Sequence, residues 1–232
     1  MNKNTFLVNS LTGKEIQWGL RYLLFELIFL PEMLKALNWA LGIGLNLTVF
    51  NFIYFTINFI VVLLIFRSYL TQFLTVEWEQ IGHIVLTAGI VFCIYQAISM
   101  GLGLVINHLR PGFSNVNDQS VVTLVDSNYL LMLLGTVVLV PVAEETLFRG
   151  LLFRGLYDRS PKAAWIISIA AFAMIHITNY IGVYSFDVLL LCYLQYIPAG
   201  ICLAAAYRLT GSIFTPILIH SVVNLVGILA LR

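Results

Sequence analysis

Charged side chains are spaced so unevenly along the 232 residues that the gaps between them outline a fold. Windows free of Asp, Glu, Lys and Arg run over 36–66, 80–109, 127–143, 163–186, 188–207 and 209–231. A helix needs roughly 20 apolar residues to cross a hydrocarbon core. All the windows reach that length except 127–143, which reaches it only if the helix continues through Glu144 and Glu145. The windows are continuously apolar rather than alternating, which excludes the strands of a membrane barrel. The pattern predicts an all-α fold, a polytopic helical membrane bundle of about 6–8 membrane-embedded helices, with any active site inside the bundle.

The stretches between the windows refine this picture. Ile16 to Leu37 is apolar but interrupted by Arg21, Glu26, Pro31, Glu32 and Lys35, which predicts a kinked, membrane-embedded half-span. No small-residue cleavage site follows it, so no secretory signal is expected. Polar connections are expected over 67–80, over 107–126 with its Arg110-Pro111-Gly112 turn signal, and over 149–162. The spans that follow should begin near Ala163, Asp187 and Gly211. The 149–162 connection holds Arg149, Arg154, Arg159 and Lys162 against Asp158, which makes it the best candidate for the cytoplasmic side. With no internal repeat and no Pro, Gly or Ser-rich linker, one continuous membrane domain is expected.

Composition closes off other classes. Hydrophobic residues make up 60% of the chain and charged ones 10%, with a mean hydropathy of +0.95. A soluble domain carries about 25% charged residues, so a soluble globular fold is excluded. Twelve Lys+Arg against 11 Asp+Glu give a net charge of +1. That balance provides no basic surface for nucleic acid. Cys93, Cys192 and Cys202 all fall in apolar windows without CxxC spacing, and are expected to be inert buried thiols.

Against this background a few polar residues stand where polarity is expensive. An ionised side chain deep in a span costs about 2.5–3.5 kcal/mol on insertion scales. Glu144, Glu145 and Arg149 follow directly on the apolar run from Tyr129. Glu145 and Arg149 are i and i+4 and share a helix face, so they can pair. Glu144 lies about 100° away around the helix and keeps no partner nearby in sequence. The plainer alternative makes all three the interfacial end of a helix closed by Gly150. His176, followed by Asn179, and His220, with Asn224 at i+4, lie in two further windows. Each histidine alone would be satisfied by a hydrogen bond between helices.

Taken together, one free carboxylate, two imidazoles and an amide form an acid–base set suited to activating water. A His–Asn pair suits an oxyanion, and Glu with two His equally suits Zn²⁺. The H-E-x-x-H helix of zinc proteases is absent. A serine site at Ser168 or Ser221 lacks a supporting G-x-S-x-G.

The motifs resemble those of a known family. Glu144-Glu145-Thr146-Leu147-Phe148-Arg149 reads as the E-E-x-x-x-R motif of the CAAX prenyl protease and bacteriocin-processing family (CPBP, or Abi). Phe172-Ala173-Met174-Ile175-His176 is similar to its F-x-x-x-H motif, and His220-Ser221-Val222-Val223-Asn224 to its H-x-x-x-N motif. The lead-in from Tyr207 to Ile213 also resembles the family. The likeness covers roughly 125–230, and the first 120 residues match only in hydropathy.

The resemblance implies an intramembrane endopeptidase with N-terminal membrane helices and loops over 1–120 and a catalytic helical core over 121–232. It implies Glu144 as the base on water, helped by His176, with His220 and Asn224 at the oxyanion site. Glu145, Arg149 and Phe172 would be structural support. The expectation is that no cofactor is required, with zinc held by Glu144, His176 and His220 as the alternative. The substrate implied is a membrane or lipidated peptide or protein, in contact with the lipid bilayer, and the expected location is a bacterial cytoplasmic membrane. Two other functions share these features. One is a non-catalytic immunity or binding protein on the same scaffold. The other is a proton-coupled transporter, against which the absence of a repeat argues, although Pro141 and Pro198 do interrupt two spans.

Overall fold

The computed structural model describes residues 11–73 and 78–231, as an all-helical membrane bundle in which no strand occurs among the described residues. The helices are α1 Gly13–Ile28, α2 Leu30–Ala40, α3 Leu47–Ile65, α4 Arg67–Thr71, α5 Trp78–Leu109, α6 Val116–Ser127, α7 Tyr129–Tyr157, α8 Pro161–Ile175, α9 Phe186–Thr210 and α10 Phe214–Leu229. Among them α3, α5, α7 and α9 are long and apolar enough to cross a membrane, while α8 and α10 are shorter apolar helices. Leucine, isoleucine and valine side chains project outward along the long helices, as with Leu64 at 71% and Leu104 at 67% exposure. In water such a surface would aggregate; against lipid it is the expected covering.

Local chemistry sets where the helices begin and end. Thr12 and Glu15 form a reciprocal capping box at the start of α1. The second oxygen of Glu15 accepts the Tyr69 N–H at 2.7 Å, tying α1 to α4. The expected kink in the first segment is a full break at Phe29, with Pro31 in the first turn of α2. Neither α1 nor α2 qualifies as a span. Asn46 and Ser160 cap α3 and α8. Gly211 closes α9 in the left-handed conformation at φ +67°, which a residue without Cβ adopts freely.

Three expectations about connections are corrected. The basic stretch 149–162 is not a loop: α7 continues to Tyr157, because Arg149 finds partners inside the bundle and Arg154 pairs with Asp158 at i+4. Much of the polar stretch 107–126 is also helical, since Asn115 caps α6. Of the connection expected over 67–80, residues 67–71 form α4, and 74–77 lie outside the described residues, as do residues 1–10. The window 163–186 is not one span either. Helix α8 stops at Ile175 after about 22 Å of rise, short of a hydrocarbon core about 30 Å thick. Cys192 and Cys202 are buried, but Cys93 is exposed on the outer face of α5, so it is not the buried thiol expected.

Helix α9 is central. It packs against α5, α8 and α10, while α7 packs against α3, α8 and α10. The main core contains Leu147, Phe148, Leu151 and Phe153 of α7 with Phe172, Leu203, Tyr207 and Ile219. The three helices carrying the polar motifs therefore converge on one another and on α9.

Candidate active site

Helix α7 departs from regular α geometry twice, over Gly135–Leu139 and Thr146–Arg154, where it is π-helical. Such wide turns leave backbone groups free and recur at functional sites. The Val140 N–H bonds back to the Gly135 carbonyl, and Pro141 has no N–H to give. The Thr136 carbonyl is thereby left without a donor from its own helix. Asn224 of α10 supplies one, its Nδ2 lying 2.7 Å away. The amide has a second N–H beyond that bond.

The next element down α7 is ionic. Glu145 and Arg149 are fully buried and pair at 3.1 Å, as their spacing predicts. Arg149 also donates to the Gly200 carbonyl at 3.3 Å and lies over the Phe172 ring at 4.2 Å from its centroid. The same Glu145 oxygen accepts the Nδ1–H of His220 at 2.9 Å. Glu145 therefore joins α7 to α10, and Arg149 joins α7 to α8 and α9.

His176 follows the last residue of α8 rather than sitting in mid-span. The Phe172 carbonyl accepts from its Nδ1 at 2.8 Å, so the hydrogen sits on Nδ1 and Nε2 is the free ring nitrogen. Phe172 packs against both imidazoles, at 4.9 Å from His176 and 5.9 Å from His220. On another side His176 stacks on Tyr196, with centroids 4.0 Å apart and planes 23° apart.

These groups surround a cavity of about 60 Å³ lined by His176, His220, Asn224, Phe172 and Tyr196, with Tyr95 and small apolar side chains of α9 and α10 completing the wall. It has room for a few waters and no peptide. Of the residues singled out in the sequence, His176, His220, Asn224 and Phe172 meet here, and Glu145 and Arg149 brace them from behind. Glu144 is not in the cavity wall. Its neighbourhood includes Glu26 and Tyr54, which approach from α1 and α3 within electrostatic reach, and Tyr54 donates to Glu26 at 2.9 Å. The Glu144 Oε2 is buried with no hydrogen-bond partner among the described residues. Ser168 donates to the Phe148 carbonyl at 2.8 Å in a fully buried setting, a structural bond between α7 and α8.

A zinc site needs three protein ligands within bonding distance of one point. Among the described residues no group of three His, Cys, Asp or Glu is so arranged. Both histidines use Nδ1 in a hydrogen bond and keep Nε2 free, but no group of three such donors includes them among the described residues.

Sequence reading missed Tyr196, Thr136 and Gly200. Tyr196 lies in an apolar window like any core aromatic, and Thr136 and Gly200 act through carbonyls, which side-chain patterns do not reveal. Only Pro141 two turns before Arg149 hints at a freed carbonyl. At the mouth of the cavity Tyr196 donates to Asp118 of α6 at 3.0 Å. Desolvation against α9 raises the Asp118 carboxyl above its ordinary value, and the Tyr196 hydroxyl opposes that rise.

Residues 126–226 match the family model "Type II CAAX prenyl endopeptidase Rce1-like". Over this segment, a little under half of the chain, the protein is similar to the CAAX-type endopeptidases that the model describes. The matched residues run from the end of α6 to the last turn of α10 and contain all three polar motifs. Neither the curated proteins nor the solved structures yield a match to the chain. The matched segment thus holds most of α7 to α10, while Tyr95, Asn117 and Asp118 reach the site from outside it.

Proposed function

We propose that this protein is a CAAX-type intramembrane endopeptidase that hydrolyses a peptide bond with a water activated by Glu144. The observation that carries the reading is the convergence of His176, His220 and Asn224 on one small cavity within the matched segment. Glu144 stands on the π-interrupted helix α7, with one buried oxygen that has no hydrogen-bond partner among the described residues. A buried carboxylate oxygen without a hydrogen bond is costly for structure alone and suits a base awaiting water.

In this reading Glu144 takes a proton from water, and the hydroxide adds to the scissile carbonyl carbon. The negative oxygen that results lies towards His220 and the second N–H of Asn224. Glu145, bonded to Nδ1 on the far side of the ring, fixes the orientation of His220 beside that oxygen. His176, with Nε2 free, helps position the water and carry protons. The carbon–nitrogen bond then breaks, the proton passes to the leaving amine, and a carboxylate and a new amino terminus are released. The small cavity requires the bundle to open before a peptide enters. The apolar wall and the surrounding lipid favour a substrate that reaches the site from the membrane, such as a lipidated or membrane-embedded peptide.

The test is hydrolysis in ¹⁸O-labelled water by the purified chain in lipid vesicles, given a library of membrane peptides. Proteolysis places ¹⁸O in new carboxyl termini with the wild type and none with Glu144→Gln. Equal incorporation by both proteins removes Glu144 from the mechanism.

A further inference from the structure

We infer that Tyr196 is a positioning residue for His176, and that Asn117 and Asp118 of α6 hold it in place. His176 has one hydrogen bond to its own helix, from Nδ1 to the Phe172 carbonyl, and that bond leaves the tilt of the ring to its neighbours. The Tyr196 ring lies nearly parallel to it at 4.0 Å, the closest aromatic contact of the site. A tyrosine ring on a helix has few rotamers, and this one is fixed at its far end as well. Its hydroxyl donates to Asp118 Oδ1 at 3.0 Å and accepts from Asn117 Nδ2 at 2.9 Å, so its donor and one acceptor position are both used.

The holder is itself built in. Asn115 caps α6 and reaches Gln195 Oε1 at 2.8 Å, one residue before Tyr196. Tyr180, just beyond His176, donates to Ser120 Oγ at 2.7 Å. The first turn of α6 is thus bonded both to α9 beside Tyr196 and to the turn that leaves His176. Apart from the ring stack these are polar contacts, directional in a way that apolar packing is not. They originate from 115–120, ahead of the family match at 126, so residues outside the matched segment contribute to the geometry of the site. A misplacement of about 1 Å at a reacting group can cost on the order of 100-fold in rate, which is the sensitivity such a clamp would control.

The role assigned to His176 in catalysis rests on the proposed endopeptidase reading, but the clamp on its ring does not. The experiment therefore has an arm free of activity. Carbethoxylation of histidines by diethyl pyrocarbonate, read by mass spectrometry on the intact full chain, reports ring by ring. In Tyr196→Leu and Asp118→Ala the His176 rate should rise about tenfold as the ring is released. Tyr196→Phe, which keeps the stack and loses the hydroxyl bonds, should give a smaller rise. His220 serves as the control within the cavity, and the exposed His83 and His108 as controls outside it. In the second arm, Asp118→Ala lowers kcat with KM unchanged, and Asp118→Asn restores it by keeping an oxygen for the Tyr196 hydroxyl. A His176 rate that stays at the wild-type value in Tyr196→Leu overturns the inference. So does a rise shared equally by His176 and His220, which marks general loosening. If the wild type cleaves nothing, the endopeptidase reading fails and the labelling arm still decides the clamp.

Discussion

His220 donates its Nδ1–H to Glu145 at 2.9 Å, across 75 residues of chain, and shares that oxygen with Arg149. The second glutamate of the pair is therefore the support of an imidazole as well as the partner of a guanidinium. The Oε2 of each glutamate, Glu144 and Glu145, is buried without a hydrogen-bond partner among the described residues, but Glu145 is paired through Oε1 with Arg149 and His220, so the two should respond differently to substitution.

Replacing Glu145 by Ala leaves Arg149 buried and uncompensated in a site with 0% exposure. Breaking such a pair costs about 3–5 kcal/mol, so thermal unfolding in detergent should show a large loss of stability. Glu144→Gln removes an unpaired buried charge and should melt at the wild-type temperature or above it, while losing activity.

Pro141→Ala restores a backbone N–H to α7 beside the Thr136 carbonyl, which Asn224 now occupies. Competition for that acceptor should loosen the Asn224 amide and lower kcat about tenfold, a barrier change of about 1.4 kcal/mol. Asn224→Ala, which removes the donor, should lower kcat about 10²–10³-fold, with folding intact. Steady-state kinetics of both variants on a cleaved peptide check the order.

Gly200 has no room for a side chain: a Cβ there would meet Ile169 Cγ2 at 2.9 Å and the Ile169 backbone at 3.3 Å. Its carbonyl also accepts from Arg149. Gly200→Ala should destabilise the protein by about 1–3 kcal/mol through overpacking. Pairing it with Ile169→Val, which trims the opposing side chain, should recover part of the loss in the same unfolding measurement.

The sequence made the bundle legible where physics is local. Gaps between charges located α5, α9 and α10 to within a few residues, and i,i+4 spacing paired Glu145 with Arg149. It was less informative where tertiary contacts override the local pattern. Arg149 and Arg154 suggested a loop because charges end spans, yet the bundle supplies partners that keep them helical. The polar stretch 107–126 suggested a connection, yet its Asn115, Asn117 and Asp118 are the capping and clamping groups of α6. The apolar run past Ala163 suggested one span, and nothing in its hydropathy marks the end of α8 at Ile175, beside His176. Hydrogen bonds between helices, such as His220 to Glu145 and Asn224 to Thr136, leave no periodic trace in a sequence.

Glu144 is proposed to drive peptide hydrolysis in a membrane. The most direct measurement compares new peptide amino termini in membranes from cells expressing wild type and Glu144→Gln at matched levels. The expected result is a set of termini present only with the wild type, clustered in membrane or lipidated proteins. Identical sets, with both proteins folded and inserted, would contradict it.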